Sequence, residues 1–184
     1  MRKITASLLA GSLALAFTGS ALAENPMVGG AAMYADKNIV ENAVNSKDHT
    51  TLVAAVKAAG LVDTLSGEGP FTVFAPVNAA FEKLPDGTVE TLLKPENKDQ
   101  LSTILTCHVV ATEAMSDAIG KMISDDGGNH PVKTVGGCML EAKMDGDNIT
   151  LTDENGNVAT VTIADVDQSN GVIHVIDTVL LPKG

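Results

Sequence analysis

The sequence predicts an α+β domain, with several short helices in its N-terminal half and antiparallel β-strands in its C-terminal half. Three observations carry this. Between Asn38 and Leu105 apolar residues recur at helical spacing. From Val132 onward they alternate in short runs, separated by Gly-Gly, Asp-Gly-Asp and Asn-Gly. The chain has 184 residues, and the roughly 160 left after an export signal is set aside make one ordinary domain with a sizeable core.

The export signal is read at residues 1–23. Met1-Arg2-Lys3 precedes an apolar run from Leu8 to Phe17, and Ala21-Leu22-Ala23 has the small-x-small pattern of a signal-peptidase site, so cleavage is expected between Ala23 and Glu24. Its removal takes away Arg2 and Lys3. The mature chain then carries 10 basic against 23 acidic side chains, a formal charge of −13, with no arginine or tryptophan. Such a surface repels phosphate backbones and anionic headgroups and has no planar fork for phosphate, which excludes nucleic acid and makes an anionic membrane a poor partner. No second apolar run reaches the ~20 residues needed to cross a bilayer, so no membrane insertion is expected after cleavage and the periplasm or the exterior is the expected location.

Residues 24–37 are rich in glycine and small side chains without a period, and read as an arm whose order depends on docking. Ile39, Val40, Ala43 and Val44 then recur helically. Asp48 is expected to cap a second helix, with Leu52, Val53, Val56 and Ala59 on one stripe and Gly60 as its stop. Phe71-Thr72-Val73-Phe74 reads as a strand ended by Pro76. Asn78 and Thr88 are each placed to cap a short helix, and Pro95 reopens a helix in which Leu101, Ile104 and Leu105 share a face. That helix runs into Cys107, His108 and the pair Val109-Val110. A short helix is expected near Ser116 to Met122. Strands follow over 132–135, 138–143, 149–152, 158–163 and 172–181.

Cys107 and Cys138 have no metal or redox spacing. An even pair in an exported chain reads as one disulfide, contributing roughly 3 to 4 kcal/mol by closing a loop of about 30 residues; two buried thiols that never meet are the alternative. His108 and His174 sit in apolar surroundings, where a neutral imidazole bonded to backbone is the plain expectation, whereas His49 and His130 are expected to be exposed. No histidine pair has the spacing of a helical zinc site. The acidic segments 145–148 and 153–157 break the alternation of a calcium loop and read as hairpin turns. Neither a G-x-S-x-G elbow, a Walker loop nor G-x-G-x-x-G occurs, so no catalytic residue, metal or cofactor is assigned.

Two segments resemble the paired signatures of fasciclin domains. Gly69-Pro70-Phe71-Thr72-Val73-Phe74-Ala75-Pro76-Val77-Asn78-Ala79-Ala80-Phe81 is similar to the first, and Asn170-Gly171-Val172-Ile173-His174-Val175-Ile176-Asp177-Thr178-Val179-Leu180-Leu181-Pro182 to the second. Cys107-His108-Val109-Val110 resembles the central Tyr-His-Val-Val element, with cysteine in place of tyrosine. The resemblance spans residues 38–184 as one domain and implies a wedge of strands with helices packed along it. It also implies secreted or surface roles in adhesion. In animal members integrin binding is associated with the Tyr-His element and an Asp-Ile pair before the second signature, which points to His108, Asp165 and Val166 as partner-binding candidates here. The replacement of a core tyrosine by Cys107 favours a bridge to Cys138.

Together these readings describe an exported, non-enzymatic, monomeric interaction module that binds a protein or polysaccharide of the cell surface or matrix. The alternative is a periplasmic carrier of a small ligand or metal, with a cleft near His108 or His174.

Overall fold

A computed structural model describes residues 25–183; the expected signal segment and the Ala23-Glu24 cleavage pair lie outside the described residues. The arm is docked. Met27–Val28 (β1) and Ala31–Ala32 (β2) form a small antiparallel hairpin, and Val28 and Met33 are buried. Asn42 fixes it, accepting from the Tyr34 N–H (3.1 Å) and donating to the Tyr34 carbonyl (2.8 Å) and to Gln168 Oε1.

Helix α1 (Ile39–Ala43) starts with a reciprocal capping box, Asn38 Oδ1 accepting from Glu41 N and Glu41 Oε2 from Asn38 N, each at 2.9 Å. A 3₁₀ turn over Lys47–His49 leads into α2 (Thr50–Ala59), ended by Gly60 in the left-handed conformation at φ 73°. Asp48 does not cap α2. The cap comes from a distance, because Asn78 Oδ1 accepts from Thr51 N (3.0 Å) and Thr50 Oγ1 (3.1 Å) while its amide donates to Lys47 O (2.8 Å). Asn78 is therefore not the cap of its own helix, α4 (Asn78–Glu82), and Thr88 is the first residue of α5 (Thr88–Leu92), after Gly87. Between these lie α3 (Val62–Leu65) and β3 (Phe71–Pro76). Pro95 opens a 3₁₀ turn that continues as α6 (Lys98–Thr106).

β4 (Val109–Val110), α7 (Ser116–Asp125), β5 (His130–Lys133), β6 (Met139–Asp145), β7 (Asn148–Thr152), β8 (Val158–Gln168) and β9 (Gly171–Ile176) complete the chain. Seven strands form one sheet in the order β4-β3-β9-β8-β7-β6-β5. All neighbours are antiparallel except β3 and β9, which run parallel from Phe71↔Gly171 to Pro76↔Ile176. The sheet is thus mixed, and the two sequence signatures supply its one parallel pair, next to the β4 edge. A Cβ on Gly171 would collide with the backbone of Phe71, so this join requires glycine.

Alternation on the paired strands builds two cores. Val73, Ala75, Ile173 and Val175 face the helices, meeting Leu52, Val56, Leu101, Ile104 and Leu105. Phe74 and Ile176 face the opposite way, toward Ile119 and Ile123 of α7 and Leu140, Leu151 and Val161 of the later strands. Burial on both faces explains why β9 is almost continuously apolar.

Candidate functional site

The histidines, the main candidates for chemistry, are spread through the structure, and three of the four are buried in the fold. His108 is 2% exposed. Its Nδ1 faces Ile104 O at 2.8 Å, and the Leu180 N–H points at its Nε2 at 2.9 Å. A carbonyl only accepts and an amide N–H only donates, so the ring is neutral with its proton on Nδ1. Burial pushes its pKa down to about 4, against weaker opposing effects from Ile104 O and Asp153.

His174 repeats the arrangement with the other tautomer. Nε2 donates to Ala114 O (2.8 Å), and Nδ1 accepts from Asp165 N (3.2 Å). Its ring stacks on Phe74 with centroids 5.8 Å apart. Burial again lowers the pKa, opposed by the bond to Ala114 O and by the Asp165 carboxylate. His49 was expected to be exposed, but it is buried beneath the docked arm, with Nδ1 2.8 Å from Ser46 Oγ and Nε2 3.4 Å from Ala75 O. Burial lowers its pKa too, opposed by Ala75 O and Asp48. His130 is half-buried and pairs through Nδ1 with Asp126 at 2.6 Å.

The three residues expected to contact a partner separate. His108 and Val166 are both buried, Val166 with no exposed surface, and so offer nothing for a partner to touch. The reason is packing: His108 bridges α6 to the C-terminal segment, and Val166 lies in the helix-side core beside Val28 and Met33. Asp165 is exposed. It has φ 57°, a left-handed conformation that Asp tolerates better than most residues, at a break in the β8–β9 register between Ile163 and Val166. Its carboxylate accepts from Ser116 N (2.6 Å) and from Ser116 Oγ, so it caps α7 from across the sheet.

Cys107 and Cys138 form a disulfide with Cα atoms 5.4 Å apart, within the normal span. Asp153 shows how the acidic turns are used. Its buried carboxylate accepts from Asn155 N, Asn157 N, Asn157 Nδ2 and Leu181 N, all at 2.9 Å, so it ties its hairpin turn to the C-terminal segment. Among the described residues, no three His, Cys, Asp or Glu side chains gather as a metal site, and no helix is long and apolar enough to cross a membrane. The tethering by Asp153 and Asn78 was missed in sequence because each spans a long separation, although an Asp or Asn beside a Gly-rich turn or a proline was a signal of local capping.

The Fasciclin domain family model matches residues 47–182. The chain is 49% identical over 159 residues to Protein sll1483 of Synechocystis sp., covering 86% of this chain and 81% of that protein. It is 36% identical over 166 residues to the cell surface glycolipoprotein MPB83 of Mycobacterium bovis, covering 87% of this chain and 68% of the relative. In structure it is similar to a FAS1 domain pair from the insect cell adhesion molecule Fasciclin I. The TM-score is 0.70 at 20% identity, covering 79% of this chain and 51% of that one.

Proposed function

Because the chain belongs to the fasciclin domain family, we propose that it is an exported, non-enzymatic interaction module that binds a protein or polysaccharide of the cell surface or matrix. The carrying observation is the use of the histidines. Each of the three buried imidazoles has both ring nitrogens engaged inside the fold, leaving no lone pair or proton for acid–base or ligand chemistry. Function then falls to the surface, as in a contact module. The names of a cell-surface relative and a cell adhesion neighbour support the same reading.

Asp165 is the one expected contact residue that a partner can reach. With Glu113 and Asp117, both exposed, it gives the α7 end of the molecule an acidic rim suited to a partner presenting basic groups. The test immobilises the mature protein and passes envelope or matrix extract over it. Retention of a defined component, weakened by Asp165→Asn, is expected, because Asn still caps α7 and accepts positive φ but removes the charge. No retained component at micromolar protein would overturn the proposal, and retention unaffected by Asp165→Asn would move the contact elsewhere.

A further inference from the structure

The seven-stranded sheet has two free edges, β4 and β5, and the fold brings them face to face. At one end they are joined. Val135 N donates to Val109 O (2.7 Å), Gly136 N to Thr106 O (3.0 Å), and the Cys107–Cys138 disulfide lies beside them. A Cβ on Gly136 would meet Thr106 Oγ1 at 2.7 Å and Cys107 N at 2.9 Å, so this closure needs glycine. Away from the join the edges part around a cleft of about 180 Å³, floored by Phe74 and walled by Val110, Ile119, Met122 and Val132.

We propose that this cleft between the β4 and β5 edges binds a small amphiphilic carboxylate, its ring or short acyl chain among these apolar side chains and its carboxylate at Lys133. The volume exceeds the ~150 Å³ of an apolar cavity known to hold a benzene ring. Lys133 is exposed on the lining, and none of the ion pairs among the described residues involves it. His130, on the same rim, pairs with Asp126 through Nδ1, so that carboxylate is directed at the imidazole. The backbone supplies a second donor. Just past β5, Thr134 N bonds to Cys138 O, immediately before β6, and Val135 N to Val109 O on β4, so by strand alternation the Lys133 N–H faces the gap. The chain's net negative charge acts weakly here, since at physiological salt it is screened beyond about 8 Å.

A peptide strand is the competing occupant, and Pro131 argues against it. The same alternation turns Pro131 toward the gap, where it has no N–H to give an added strand, a usual way of blunting a sheet edge. A ring or short chain needs no ladder of backbone bonds.

The site depends on the cleft alone, so its test needs no macromolecular partner and its failure leaves the adhesive reading untouched. Methyl-labelled mature protein is titrated with sodium benzoate and sodium hexanoate, with benzyl alcohol and benzylamine as neutral and cationic controls. Either carboxylate is expected to shift the Val110, Ile119, Met122 and Val132 methyl signals more strongly than the controls do. Lys133→Glu should weaken carboxylate binding about ten-fold, the loss of one charge-assisted contact, without changing benzyl alcohol binding. Val132→Trp should fill the cleft and abolish both. The proposal is overturned if no methyl responds at about 20 mM carboxylate, far above a millimolar Kd, or if benzoate and benzylamine bind equally. It is also overturned if Lys133→Glu changes nothing, or if an extended peptide binds instead and protects the Lys133 amide from exchange.

Discussion

Acid should loosen this domain through His108, and the size of the effect follows from its surroundings. The ring is neutral because Leu180 N donates to Nε2; a proton on Nε2 would set two donors against each other in a site that is only 2% exposed. The pKa is about 4 in the folded chain against an ordinary 6.5. The unfolded chain therefore binds the proton first as pH falls. The contribution is fully present above pH 6.5, is lost progressively between 6.5 and about 4, and changes no further below that. At 1.36 kcal/mol per pKa unit, the loss is about 3 kcal/mol, a large share of the 5 to 15 kcal/mol typical of a domain. Urea denaturation with the disulfide intact, from pH 7.5 to 4, measures it. His108→Gln keeps an acceptor for Leu180 N without a titrating group, and subtracting its pH profile removes contributions from His49, His174 and the surface charges. Wild type should lose about 2 to 3 kcal/mol more than the variant across this range. A difference that stays constant with pH, or a His108 ring that titrates near 6.5 in the native state by NMR, would refute the reasoning.

Other perturbations separate local from long-range ties. Asp153→Ala removes the shared acceptor of four donors, three of them in an exposed turn that water can reach, and should cost about 1 to 3 kcal/mol by chemical denaturation, with Asp153→Asn clearly milder. Reducing the disulfide, or replacing both cysteines by alanine, should lower stability by roughly 3 to 4 kcal/mol without changing the far-ultraviolet circular dichroism of the native state. Asn78→Ala removes a cap from α2 rather than α4, so amide exchange should quicken at Thr51 while α4 is little affected, at a cost of about 1 to 2 kcal/mol. Deleting residues 24–37 strips Val28 and Met33 from the core, and should raise dye binding and expose His49 to titration nearer 6.5.

Local patterns were legible. The apolar stripe of α2, its Gly60 stop, the strand at Phe71 and the hairpins after Val132 all follow from spacing and turn chemistry within about ten residues. The strands' ends were less so, because β8 extends to Gln168 through two register breaks and β9 stops at Ile176, short of the apolar run. The parallel β3–β9 pair was not legible, since nothing in either segment states which way a partner about a hundred residues away will run. Polar residues deceived most often. In sequence Asn78 reads as the cap of its own helix, His49 as an exposed residue after a cap and Asp165 as a surface contact, yet each bonds to a segment distant in the chain.

The arm explains why a surface expectation carried by the family resemblance fails at Val166. The family match begins at residue 47, whereas the core begins at Val28, so the segment covering this corner lies outside the matched region. Val28 and Met33 line the same small cavity as Val166, His49, Ala75 and Ile173, and the Asn42 amide clamps the arm by bonding both Tyr34 and Gln168. A domain without such an arm would leave this corner less covered. Here the buried area and the Asn42 clamp favour the covered state, and the pair Asp165-Val166 is divided accordingly: its apolar member completes the core, and its acidic member caps α7 while its charge remains at the surface. The pair therefore presents only its acidic member to a partner.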